Sequence, residues 1–148
     1  MFKPLFTALL LASAVFNASA ADVWVSGMAT SYHADRSANY NESNPGVGLE
    51  IDPEDSSLKY VLNVYKNSFG NVSVLVAAAW TPVKLGAFKA GVVGGAVSGY
   101  PLYHEKFGPV AALLVTYEGE KYGVNLITIP QLREKATSVA TLQVKIKF

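Results

Sequence analysis

Beyond its first twenty residues this chain alternates apolar and polar positions in short runs. The alternation is cleanest at the end, where Leu142, Val144, Ile146 and Phe148 interleave with Thr141, Gln143, Lys145 and Lys147. A period of two is the period of a β-strand with unlike faces. Eight strand-like runs can be read, at residues 23–33, 45–51, 58–66, 72–80, 86–97, 109–117, 121–129 and 138–148. Proline cannot donate to a ladder, and Pro45, Pro53, Pro82, Pro101, Pro109 and Pro130 fall at or near the junctions. Phe69-Gly70-Asn71 and Glu118-Gly119-Glu120 read as hairpin turns. The fold class is therefore all-β.

The runs at 72–80 and 109–117 are apolar on both faces. A water-filled pore needs a polar lining, so these runs fit a barrel whose interior is packed or holds an acyl chain. Eight antiparallel strands make the smallest common transmembrane β-barrel. The competing reading of the last run is a strand packed on one face in a soluble periplasmic sandwich. Trp24, Tyr60, Trp80 and Tyr117 are expected near one end of the strands and Tyr32, Tyr65 and Tyr100 near the other, as in interfacial aromatic belts. The glycines between Gly86 and Gly99 fit either barrel curvature or room for an acyl chain inside.

Residues 1–20 read as a secretory leader: Lys3, an apolar run, then Ala18-Ser19-Ala20 as a cleavage site. The rest, residues 21–148, is one domain. Without Lys3 the 12 basic residues become 11, equal to the 11 acidic ones, so the exported part carries no formal net charge. That argues against a nucleic-acid binder. There is no cysteine to supply disulfides, and barrel closure in a bilayer is another source of stability. His33 and His104 are the only histidines, so a metal site finds little support, and no cofactor is implied.

If the chain starts on the periplasmic side, odd-numbered strands end outside. His33 then ends the first strand at the outer rim, and Asn67-Ser68 follows the third at the same rim. The inner turns are expected around Pro53, Pro82 and Gly119. An imidazole and a hydroxyl at one rim are the groups an ester acyl transfer uses for proton transfer, attack or oxyanion stabilisation. Composition alone reads the same pair as a rim histidine and a turn serine.

Tyr32-His33, Tyr40-Asn41-Glu42, 45–50 (Pro-Gly-Val-Gly-Leu-Glu), Tyr65-Lys66-Asn67-Ser68 and Ala79-Trp80-Thr81-Pro82 occur here in an order and spacing that resembles the lipid A palmitoyltransferases of Gram-negative outer membranes. The resemblance spans nearly all of the exported chain and is densest from Tyr32 to Trp80. It implies an outer-membrane barrel, a monomer whose active site faces the cell surface. Its partners would be the bilayer, a phospholipid acyl donor and a lipid A acceptor. It also implies catalysis by His33 and Ser68, with Asn67 as the orienting group. Asn67 stands where the family has Asp. Arg36, Tyr40, Asn41 and Glu42 would contact the lipid headgroup or order the first outer loop. The family's N-terminal amphipathic helix has no counterpart ahead of Val23. Two alternatives stand beside this: a structural or surface-interaction barrel with a degenerate site, and a lipid A deacylase or phospholipase that uses water as acceptor.

Overall fold

The computed structural model describes residues 21–104, 106–131 and 137–148. The leader reading of residues 1–20, and any helix before the first strand, lie outside the described residues. Eight antiparallel strands close into a barrel in sequence order. They are β1 (Ala21–His33), β2 (Ser43–Pro53), β3 (Leu58–Lys66), β4 (Val72–Leu85), β5 (Phe88–Val97), β6 (Gly108–Glu118), β7 (Tyr122–Ile129) and β8 (Val139–Lys147). Closure runs between β1 and β8, with Trp24 opposite Lys147 and His33 opposite Val139.

The period-two pattern sorts side chains in the sense opposite to a soluble protein. Leu49, Leu62, Val76, Leu113, Val144 and Ile146 are exposed on the outer wall, whereas Ser26, Asn63, Thr116 and Asn125 are buried inside. An apolar exterior on a sheet with no edge is what a bilayer selects, because the backbone is paired internally and the outer face meets lipid. The fold is an eight-stranded transmembrane β-barrel. Its short turns, after β2, β4 and β6, gather at one end. The rim that carries His33 holds the connections at residues 34–42, 67–71 and 98–107, the last with one turn of 3₁₀ helix at Pro101–Tyr103.

Two expectations change and a third narrows. The turn expected at Pro82 lies further on, because β4 continues past Trp80 to Leu85. Leu85 pairs with Phe88, which leaves a two-residue hairpin, Gly86-Ala87, and Gly86 supplies its positive φ of 59°. Pro82 sits where the β4–β5 register shifts between Trp80 and Val83, a bulge that tolerates a missing N–H. The aromatic belts are also only partly formed. Tyr32, Tyr60, Trp80 and Tyr117 are on the outside, but Trp24 is 1% exposed in the interior. Tyr65 and Tyr100 turn inward and meet hydroxyl to hydroxyl at 3.2 Å. Finally, of the two readings of the β5 glycines, Gly91 and Gly95 take that of close strand packing. A Cβ on Gly91 would overlap the Trp80 carbonyl, and one on Gly95 the Val76 carbonyl, so they serve close strand approach.

The barrel interior has two layers. At the short-turn end Glu50, Asp52 and Glu118 meet Lys59, Lys89 and Lys145. Lys145 donates to Glu50 and Glu118, each at 2.6 Å. Lys59 bonds Asp52 at 2.8 Å and also reaches Glu118. Lys89 lies 2.8 Å from Asp52 and 2.7 Å from Glu118. The cluster is neutral, three charges against three, and Trp24 lies against it with its ring 4.9 Å from the Lys145 ammonium. Above it is the second layer, a cavity of about 470 Å³ walled by apolar residues such as Leu75, Val93, Val97, Leu114 and Ile127. The doubly apolar runs of β4 and β6 supply part of that wall. The β6–β7 ladder pairs only from Leu113–Thr128 to Glu118–Gly123. Residues 108–112 of β6 therefore have no ladder partner among the described residues of β7, and Pro109 to Ala112 border the cavity there.

Candidate functional site

The inward face of β1 carries Ala29, Ser31 and His33 toward the outer end of the cavity. His33 is 4% exposed. Its ring stacks on Tyr40 with centroids 4.4 Å apart. Tyr40 contacts Phe69 edge-on at 5.6 Å, and Phe69 contacts Tyr100 in the same way at 5.9 Å. An aromatic arc thus runs along the cavity mouth from His33 to Tyr100, each member contributed by a different strand end or connection.

Tyr40 owes its place to the residue after it. The Asn41 backbone N–H donates to the Ser68 carbonyl at 2.8 Å, and the Asn41 side-chain amide donates to the Asn67 carbonyl at 3.0 Å and the Ser43 carbonyl at 2.6 Å. Asn41 therefore orders the loop by lacing it to the β3–β4 turn. His33 and Ser68, separated by two strands in sequence, line the same cavity as a result. The Ser68 hydroxyl has no hydrogen-bond partner among the described residues.

Glu42 sits beside the imidazole. One of its carboxylate oxygens accepts the His33 backbone N–H at 3.2 Å and a bond from Arg36. The same oxygen lies 3.8 Å from His33 Nδ1. That is too long for a hydrogen bond, and Nδ1 is buried without a partner. The His33 N–H, then Arg36, hold the Glu42 carboxyl below the usual carboxylate range, so it is ionised wherever an imidazole titrates. Arg36 itself is exposed, with Tyr32 beneath its guanidinium at 5.1 Å.

Asn67 is fully buried but turned away from this pair. Its amide nitrogen donates to Ser73 Oγ at 2.9 Å and to the Gly99 carbonyl at 2.8 Å. Its amide oxygen accepts from the Phe69 N–H at 2.8 Å and the Asn71 N–H at 3.1 Å. All of its hydrogen-bonding positions are committed to the turn, to Ser73 of β4 and to the β5–β6 connection. No hydrogen bond joins Asn67 to His33; the carboxylate beside the ring is that of Glu42, 3.8 Å from Nδ1, which the sequence pattern places only in the outer loop.

Sequence reasoning passed over Ser31 and Asn44, which line the cavity wall with buried polar atoms. Ser31 was within reach of it: two residues before His33 on one strand, it must share the same face.

No protein-family model matches this chain, and no curated protein does. Among solved structures the barrel is similar to a de novo designed protein, TMB2.3, determined in solution by NMR, with a TM-score of 0.61 at 8% identity, over 88% of this chain and 94% of that one. A likeness at that identity concerns the fold alone. A fold of this kind is compatible with an outer membrane.

Proposed function

We propose that this barrel is an outer-membrane acyltransferase that moves a fatty acyl chain from a phospholipid to lipid A, with its site facing the cell surface. One observation carries the reading: His33 and Ser68 line the mouth of an apolar cavity that ends on a charged floor inside the barrel. The cavity volume, about 470 Å³, is within the usual range for ligand sites. An acyl chain lies in the cavity with its ester at the mouth. A proton on His33 Nδ1 faces the Glu42 carboxylate and leaves Nε2 as the basic nitrogen. His33 takes the proton of the lipid A hydroxyl as its oxygen attacks the ester carbonyl. The Ser68 hydroxyl donates to the oxyanion that forms. The C–O bond to the glycerol then breaks, and His33 returns the proton to the leaving oxygen. No hydrogen bond joins Ser68 to His33, which favours the donor role over that of nucleophile. Arg36, exposed at the rim, suits a phosphate of the headgroup.

The test is a mass spectrum of lipid A from Gram-negative cells lacking their own palmitoyltransferase, with and without this protein. One added acyl chain, lost in His33→Ala and in Ser68→Ala, is the expected result and reports the chain length. Free fatty acid with no added chain indicates a hydrolase. An unchanged spectrum with folded barrel in the membrane rejects the enzymatic reading in favour of a structural barrel.

A further inference from the structure

Ser31 Oγ and Asn44 Oδ1 are buried polar atoms with no partner among the described residues. Their residues are 6% and 5% exposed, and both line the cavity. They belong to one patch of wall. Ala29 pairs with Asn44 across β1 and β2, and the Ser31 N–H donates to the Glu42 carbonyl at 2.9 Å. Ser31 and Asn44 are therefore diagonal neighbours on the inner face, one step below His33 along β1. The Asn44 amide nitrogen donates to the Lys66 carbonyl at 3.0 Å, which fixes the side-chain flip and makes the oxygen the atom left over. Near the mouth His33 Nδ1 is the other buried atom without a partner among the described residues, whereas the Tyr65 and Tyr100 hydroxyls meet each other.

The chemistry of the leftover atoms is selective. An amide oxygen only accepts, and a serine hydroxyl accepts as readily as it donates. Their complement is a group with an O–H or N–H. A plain fatty ester or a phosphodiester brings acceptors alone and leaves Asn44 Oδ1 unpaired. We propose that Ser31 and Asn44 form a subsite for the hydroxyl or amide N–H of an acylated ligand, close to the head of a chain lying in the cavity. The inference rests on the acyl-transfer reading only in taking the cavity occupant to be an acyl chain. It makes the patch the place where an acceptor is told from a donor lipid.

The test uses the full barrel in amphipol and a fluorescent fatty-acid probe displaced by dodecanol, N-methyldodecanamide or methyl dodecanoate. Partition into amphipol cancels when each ester-to-donor ratio of half-displacing concentrations is compared between wild type and variant. That ratio is expected to fall about tenfold in Ser31→Ala/Asn44→Leu, the worth of one net hydrogen bond. Ser31→Ala alone, which keeps the Asn44–Lys66 bond, should show part of the fall and guards against a misfolded double variant. A fall for the amide alone assigns the subsite to amide-linked chains, and a fall for the alcohol alone assigns it to hydroxyls. Ratios equal in wild type and both variants overturn the proposal, and so does a probe that does not bind. The readout needs no turnover. A donor preference without lipid A modification would sink the transfer reading and keep the subsite, and transfer with equal ratios would do the reverse.

Discussion

Asn67→Asp restores the residue that the resembled family carries, and the structure predicts that it weakens the barrel without activating it. A carboxylate has no N–H. Ser73 Oγ can turn its own hydrogen toward the new oxygen, so that contact survives. The Gly99 carbonyl has no hydrogen to turn, and a carboxylate oxygen would face it near the present 2.8 Å separation. The N–H groups of Phe69 and Asn71 still point at the other oxygen and offset part of the cost of burying the charge. An acceptor left facing an acceptor in a buried site, plus the residual desolvation, costs about 2–4 kcal/mol. Denaturant unfolding in lipid vesicles, followed by the fluorescence of Trp24 and Trp80, measures this. Because the charged form is the one that meets this cost, the folded-state pKa of the introduced carboxyl is expected above its unfolded value of about 3.9. The folded state then binds more protons, so the loss is full above the folded pKa and shrinks as pH falls toward about 3.9, where a neutral acid can donate to Gly99. A variant as stable as wild type at pH 7, or one that gains acyl transfer, would refute this account of Asn67.

Other outcomes follow from the same contacts. Glu42→Gln keeps an acceptor for the His33 N–H but removes the charge, and acyl transfer should fall about a hundredfold, the low end for an acid–base pair, with an unchanged unfolding midpoint. Glu118→Ala strips Lys59, Lys89 and Lys145 of a shared partner, and the loss should be about 3–5 kcal/mol by the same unfolding assay, as for a buried pair broken on one side. Gly91→Val puts a Cβ into the Trp80 carbonyl at the β4 bulge, so it should yield little folded barrel by electrophoretic mobility of unheated samples.

Much of the fold was legible because a barrel repeats a single rule. Strand alternation, with turn residues between, located all eight strands, and counting put His33 and Ser68 at one rim. Alternation does not say which face is which for an aromatic. Trp24, Tyr65 and Tyr100 fit a membrane interface as well as an interior, and only the register decides. Pro82 misled because a proline marks the lack of a ladder bond, which a bulge supplies as well as a turn does. The role of Asn67 was hidden for a different reason. Its partners Ser73 and Gly99 come from β4 and the β5–β6 connection, and no local spacing predicts that meeting. Glu42 could be named but not assigned, since its proximity to His33 depends on how the loop at residues 34–42 folds back. Lys145 read as part of the polar face of the last strand and Glu118 as part of a turn, while Glu50 and Lys59 carried no facing at all; their pairing awaited the closed ring.

That pairing bears on how the ring comes to exist. Lys145 lies on the last strand, and its carboxylates are Glu50 on the second and Glu118 on the sixth. Glu50 is 95 positions away in sequence, and Lys59 reaches 59 positions to Glu118. A sheet zipped through β7 but not yet joined to β8 would face three carboxylates with two lysines inside a narrowing apolar tube. The last strand brings the missing positive charge and the final ladder in one step. Half-assembled states would then be penalised electrically as well as by their open edges, and β8 is expected to join cooperatively with the pairing of Lys145.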